Sequence, residues 1–320
     1  MRKRISFYVS GDNIEDALYQ DLFKDERIAL KRRLFWGPKF LYEKARSVSR
    51  IKELKIKHKV FLFLYSFVFC KLFFDRSSIA VLTNVSVQGV SPLYFNSFFS
   101  KRKKRKAYII FIDKVGKPMS IPAKRIIDGN QFVEAFSFDE KDAFTYGFTP
   151  TINIYSKHDL KTKTASTDLF FIGYAIDKLK LLRLVAEGAQ NKNRLRIMVL
   201  GVKKDDQCSD DGIAYMTRYL EYTDVLNYVS ETNCILEIVQ SGQVGPTMRY
   251  FEAVCYNKKL LTNNENIVNF PFYNPLYMKV FRSVADIDFD WVSKYEPICY
   301  NYSNEFSPKG LIDCILDLNK

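Results

Sequence analysis

Apolar residues in this chain fall in short unbroken runs, with little of the alternation expected of a half-exposed strand. In the first half these are residues 4–9, Ser78-Ile-Ala-Val-Leu-Thr83 and Ala107-Tyr-Ile-Ile-Phe-Ile112. In the second half they are Asp168-Leu-Phe-Phe-Ile172, Arg196-Ile-Met-Val-Leu200, Cys234-Ile-Leu-Glu-Ile-Val239 and Lys259-Leu-Leu-Thr262. Runs of this kind predict strands buried on both faces, as in a parallel sheet covered by helices.

The intervening segments carry helix signals. Ser10-Gly11-Asp12-Asn13 reads as a turn and helix cap, with helix-compatible sequence through Phe23. Residues 25–36 are charged and helix-favouring up to the break at Gly37-Pro38, and further helices are predicted at 40–57 and 92–100. The second half alternates more regularly. Helices are predicted at 177–187, near 211–218, from Asp224 to Ser230 and from Pro246 to Tyr256, giving a βαβαβ half-unit of a nucleotide-binding sheet. The polar stretch 156–167 reads as a linker, which predicts two domains, 1–160 and 161–320.

Charge separates the halves. Of 320 residues with a net charge of +13, residues 1–160 hold 30 Lys+Arg against 16 Asp+Glu, and residues 161–320 hold 19 against 20. The excess belongs to the first half, which should face an anionic partner. It is concentrated in Lys52, Lys55, Lys57 and Lys59 and in the run Lys101-Arg102-Lys103-Lys104-Arg105-Lys106. The first cluster leads into the apolar stretch Val60–Phe74. As a helix it would be about 22 Å long, too short for a hydrocarbon core of ~30 Å. It is either a core helix or one that dips into a membrane face, its flanking lysines meeting anionic headgroups. No apolar leader precedes the first run, so no signal peptide is expected. Six scattered cysteines without a C-x-x-C pattern fit a reducing compartment, and His58 and His158 alone exclude a multi-histidine metal centre.

The densest chemical signal is Glu237-Ile-Val-Gln240-Ser-Gly242-Gln-Val-Gly245-Pro-Thr247-Met-Arg249-Tyr-Phe-Glu252. A strand ends, a glycine-rich turn follows and Pro246 sits where a helix should begin, so free N–H groups there can receive a diphosphate. Thr247 can add a hydroxyl and Arg249 a charge-assisted contact, while Glu252, at i+3 from Arg249, can accept from a sugar hydroxyl or simply pair with the arginine. Gly173 supplies a second glycine turn, where Lys178 and Lys180 read as a solvated helix face, and Tyr219-Leu-Glu221-Tyr222 can grip a nucleobase or pack in the core. Asp286-Ile-Asp288-Phe-Asp290 is the one D-x-D pattern. It falls late and reads as a solvated strand or as helix capping, so no essential metal or other cofactor is expected. Asp12 is the candidate catalytic base, or a helix cap.

On Asp168–Asp177, Leu236–Glu252, the continuation to Asn263, Ser137–Gly147 and Ser307-Pro308, the sequence resembles bacterial glycosyltransferases of the GT-B type, particularly those of capsule and lipopolysaccharide clusters. The likeness covers about half the chain well and residues 1–130 only weakly. It implies an α/β fold of two Rossmann-like domains facing a central cleft, with a C-terminal helix returning toward the first domain. A nucleotide-sugar donor would be held by the second domain, with Gly173, Glu221, Gly242, Gly245, Thr247, Arg249 and Glu252 around it. A lipid-linked glycan acceptor would be held by the first, on the inner face of the cytoplasmic membrane. The alternatives are a non-catalytic nucleotide- or glycan-binding member, and a nucleic-acid-binding protein using residues 101–106; nucleic acid ranks last among partners of that run.

Overall fold

The structure is a computed structural model of the 320-residue chain. It describes residues 5–32, 34–74, 79–99, 104–161, 163–175, 177–189, 194–240 and 242–320. The chain divides into two compact units, Met1–Ser156 with Phe306–Lys320, and Lys157–Glu305. The final fifteen residues, numbered with the second domain by the 161–320 boundary, pack with the first, as the returning C-terminal helix implied by the resemblance requires.

The first unit holds six parallel strands, β1 (Ile5–Val9), β2 (Ile28–Arg32), β3 (Ile79–Thr83), β4 (Lys106–Phe111), β5 (Val133–Ser137) and β6 (Thr149–Pro150), in the order β2-β1-β3-β4-β5-β6. The chain leaves β1 toward β2 and then crosses back to β3, so the order reverses between β1 and β3. On one sheet face Tyr8, Leu82, Ile109 and Ala135 pack against α2 (Lys39–Ser49), α3 (Ile56–Phe69), α4 (Pro92–Asn96) and α5 (Ile121–Asp128), through Ala45, Leu62, Tyr65, Phe95 and Ile126. On the other face lie α1 (Asn13–Leu18), followed by Tyr19 against Phe7, and the C-terminal helix, residues Pro308–Asp317, while α6 (Glu140–Tyr146) joins β5 to β6. That helix is tied down by Ser307 to Asp21 at 2.5 Å, by the Arg27–Asp313 ion pair and by Asn319 to Tyr108 at 2.8 Å.

The second unit is a six-stranded parallel sheet of β7 (Thr167–Tyr174), β8 (Leu195–Leu200), β9 (Ile213–Met216), β10 (Thr232–Glu237), β11 (Lys259–Thr262) and β12 (Met278–Val280), ordered β12-β11-β10-β7-β8-β9. Numbered within the unit, this is the 3-2-1-4-5-6 order of a Rossmann sheet, reversing between β7 and β10. Helices α7 (Leu179–Gly188) and α10 (Phe289–Ser293) cover one face through Leu182, Val185, Ala186, Trp291 and Val292. α8 (Tyr222–Ser230) and α9 (Met248–Cys255) approach the other, where Phe170 meets Tyr228 and Arg249.

Two expectations fail for one reason. Residues 25–36 contain β2 and residues 211–218 contain β9, both expected as helices. Each is the outermost strand of its sheet, with only one paired edge and incomplete burial, so neither carries the long buried apolar run that marks an inner strand.

Ahead of α2, Gly37 adopts φ +105°, and a Cβ there would sit 2.5 Å from Cδ1 of Phe69 on α3. Gly37→Ala should therefore lower stability by about 1–3 kcal/mol. Urea unfolding checks this, and an unchanged midpoint would contradict the close approach.

Candidate functional site

In an open parallel sheet, ligands bind beyond the carboxyl ends of the strands where the order reverses. In the second unit that point lies between the ends of β7 and β10, and several expected residues converge there. Lys178, between β7 and α7, reaches across the gap and donates to the carbonyl of Ile238 after β10. It thus ties the two loops together, whereas Lys180 is exposed as expected of a solvated face. Gly173 lies within β7 itself, at its carboxyl end.

The glycine-rich loop, Ile238–Pro246, is pinned from the neighbouring strand. Past the end of β11, Asn263 accepts from Val239 N at 2.7 Å, and Asn266 donates to the carbonyl of Val244 at 3.0 Å. Gly242 sits at φ +75°, where glycine is favoured, while Gly245 is buried. The helix starts at Met248, two residues later than Pro246 suggests. Thr247 is its cap, and its hydroxyl accepts from Arg249 N at 3.1 Å while donating to Glu237. Glu237, wholly buried at the end of β10, also accepts from Thr262 at 2.6 Å. Burial pushes its carboxyl up, opposed by these two hydroxyls.

On α9, Arg249 pairs with Glu252 at 2.8 Å, and Tyr222, the first residue of α8, donates to Glu252 Oε1 at 2.8 Å. Glu252 is entirely enclosed, and burial lifts its carboxyl to about 7 against the pull of Arg249 and Tyr222. Two buried polar atoms in this network find no hydrogen-bond partner among the described residues, Arg249 Nη1 and Glu252 Oε2. Such leftovers are uncommon in folded proteins. The pairing of Arg249 with Glu252, one of the two readings of the sequence, is thus realised without exhausting either group.

The tetrad 219–222 is split between interior and surface. Tyr222 is buried, but Tyr219 is exposed and stands edge-on to Tyr174 at the end of β7, ring centroids 5.7 Å apart and hydroxyls in contact. Glu221 is exposed and caps α8, a place expected for Asp224. The late aspartates cap as expected. Asp286 accepts from Ser283 N at 2.7 Å, and Asp288 from Trp291 N at 2.9 Å while pairing with Lys279. Among the described residues no group of three or more His, Cys, Asp or Glu is placed to hold a metal.

In the first unit the reversal between β1 and β3 opens a cavity of about 400 Å³, lined by the Ser10–Asp12 turn, by Trp36, Tyr42 and Arg46 and by Ser86. Asp12 is exposed there, yet it is also the cap of α1, accepting from Glu15 N at 2.8 Å and from the Ser10 hydroxyl at 2.6 Å. Behind it lies Glu15, which the sequence did not single out. It is buried, accepts from Ser10 N and the Thr83 hydroxyl, and is lifted to about 7, chiefly by burial.

Lys101, Arg102 and Lys103 lie outside the described residues. Of the remaining run, Lys104 is exposed, Arg105 lies over the rings of Phe98 and Phe99, and Lys106 opens β4 and pairs with Glu134.

No protein-family model matches the chain, and no curated protein matches it. Solved structures with a similar course include UDP-N-acetylglucosamine 2-epimerase from Rickettsia bellii, at 12% identity and TM-score 0.48 over 99% of this chain and 97% of that one. A DNA-modifying beta-glucosyltransferase, solved with and without uridine diphosphoglucose, gives 12% and 0.49 over 97% and 92%. The glycotransferase of kitacinnamycin gives 8% and 0.40 over 90% and 88%. These are distant likenesses, and no site residue is transferred from them.

A carboxyl whose pKa is higher folded than unfolded favours the folded state in its protonated form. The contribution of Glu252 is therefore complete below its ordinary 4.5 and lost as pH rises toward 7. Glu252→Gln should flatten the fall in stability between about pH 5 and pH 8. Denaturant unfolding across that range checks it, and a pH slope identical to the wild type would contradict the burial of an ionisable carboxyl there.

Proposed function

We propose that this protein is a glycosyltransferase that moves a sugar from a nucleotide-sugar donor, held at the β7/β10 reversal, to a membrane-linked glycan acceptor in bacterial surface-polysaccharide synthesis. The observation that carries the reading is the convergence at that reversal. A pinned glycine loop, a Thr247-capped helix start, Lys178 and a buried Arg249–Glu252 pair meet there, with one donor and one acceptor unspent. Backbone N–H groups at the helix start and the guanidinium suit a diphosphate. The exposed Tyr174–Tyr219 pair at the same sheet end suits a base. Glu252, enclosed behind Arg249, would then act on the donor through that arginine. In this reading Asp12 takes the acceptor's proton in the first unit, and no metal is needed because the helix start and Arg249 stabilise the leaving diphosphate.

Membrane association is supported by α3. Its buried side is narrow, and Ile56, Val60, Phe63, Leu64, Phe67 and Val68 form a stripe along its outer side, between 39% and 80% exposed. Lys52, Lys55, Lys57 and Lys59 stand exposed at its amino end. An apolar stripe with cations at one end fits a helix lying in the interface of an anionic bilayer. No helix among the described residues is long and apolar enough to cross one.

Calorimetric titration with nucleoside diphosphates should show binding that Arg249→Ala weakens at least about tenfold. Absence of binding by any nucleoside diphosphate would overturn the donor site. The wild type should float with phosphatidylglycerol-containing vesicles in a salt-sensitive manner, and Phe63→Ser/Phe67→Ser should not. Equal flotation of both proteins would remove α3 from the interface.

A further inference from the structure

The first-unit cavity has a wall whose charge the reading above leaves unused. Tyr42, Arg46 and Arg50 recur every four residues along α2, and so share one face. That helix lies close upon the turn after β3, because the small Ala45 and Ser49 face it and Ser49 Oγ accepts from Gly89 N at 3.0 Å. The approach brings both guanidiniums to the side chain of Gln88, which is wholly buried. Its Nε2 donates to the carbonyl of Met119 at 3.4 Å, which turns its Oε1 toward the arginines. That one oxygen accepts from Arg46 Nε at 3.0 Å, from Arg50 Nε at 3.2 Å and from Arg50 Nη2.

Two like charges therefore share a single neutral acceptor. Among the described residues their other side-chain contact is the ring of Tyr42, 5.4 Å from Arg46, and no carboxylate is paired with either. Each guanidinium has five N–H donors, so most remain available. Burial and the neighbouring Arg46 charge both lower the pKa of Arg50, the sign of a cation held near another without compensation. Asp12, on the cavity wall, and Glu15 behind it act on Tyr42 and are already engaged as described above, and Glu43 on α2 pairs with Lys39. Folding has thus placed Arg46 on the wall of an aromatic-lined cavity, with Arg50 beside it on the shared oxygen of Gln88 and no carboxylate paired with either, an arrangement that an external dianion completes.

We infer that Arg46 and Arg50 form an anion subsite that holds a phosphate or diphosphate borne by the acceptor sugar, with Trp36 and Tyr42 flanking the ring and Asp12 at the far end near the reacting hydroxyl. The inference rests on the glycosyltransferase reading for the word acceptor, but the anion subsite stands or falls separately from the donor site.

The test uses the full chain carrying Arg249→Ala, so that the donor site does not contribute. Calorimetric titration with inorganic pyrophosphate should give one site, and adding Arg46→Gln/Arg50→Gln should weaken it at least about tenfold. A change below about twofold, or no heat from the Arg249→Ala parent up to about 10 mM, would overturn the subsite. Should the triple variant not fold, phenylglyoxal modification of the parent, read by peptide mass spectrometry, decides instead. Pyrophosphate should protect Arg46 and Arg50, and unprotected arginines would overturn the assignment. Octyl phosphate binding more tightly than glucose 1-phosphate would assign the anion to a lipid-borne acceptor, and the reverse to a soluble sugar phosphate. Neither exceeding inorganic phosphate would overturn the link to an acceptor.

Discussion

Wholly parallel strands impose the constraint from which the rest follows. Every strand in both sheets runs the same way, so each connection returns across a face and all carboxyl ends gather at one edge. Where the chain stops adding strands to one side and begins on the other, the two outgoing loops diverge and leave a crevice between neighbouring strand ends. The β1/β3 and β7/β10 reversals each produce one. The chemistry of both units is then a matter of which side chains the adjoining loops deliver.

Both crevices are built over buried carboxyls. Glu15 follows β1 and is satisfied by Thr83 at the end of β3; Glu237 ends β10 and is satisfied by Thr262 at the end of β11 and by the cap Thr247. In each case a hydroxyl of the adjoining strand supplies the hydrogen bond that burial demands. The loop geometry above is thereby fixed by groups that never reach solvent. The cost of holding these carboxyls inside is visible in their raised pKa values, and Glu252 extends the same pattern onto α9. The two units differ in what lies at the rim. The second presents a glycine loop and a capped helix, suited to a small phosphate ligand. The first presents arginines, aromatic rings and, on α3, an apolar stripe.

The inner strands were legible because burial on both faces leaves no polar position to disguise them, as Ile79–Thr83 and Leu169–Ile172 illustrate. The outer strands, Ile28–Arg32 and Ile213–Met216, were not: at half-exposed edges, the first carries Lys31 and Arg32, and the second is only four residues long. Within the site, Thr247, Arg249 and Glu252 could be grouped in advance because one helical turn joins them. Lys178 with Ile238, Tyr222 with Glu252, Asn266 with Val244 and Arg50 with Gln88 could not, because strand order alone makes those residues neighbours. Glu15 was hidden for a further reason: its carboxylate sits in a helix that reads as ordinary polar surface, and only the proximity of Thr83 turns it inward. The charge excess of the first half likewise looked like one feature. The structure separates it into lysines at the amino end of α3, arginines gathered at Gln88 and the partly enclosed Arg105 and Lys106.

The central claim is that the β7/β10 crevice holds a nucleotide sugar for transfer. It is tested most directly by measuring release of nucleoside diphosphate from a panel of nucleotide sugars, with wild type and Arg249→Ala side by side. At least one nucleotide sugar should be consumed, and the substitution should lower kcat/KM for it at least about tenfold. Consumption of none of them, or equal rates with and without Arg249, would contradict it.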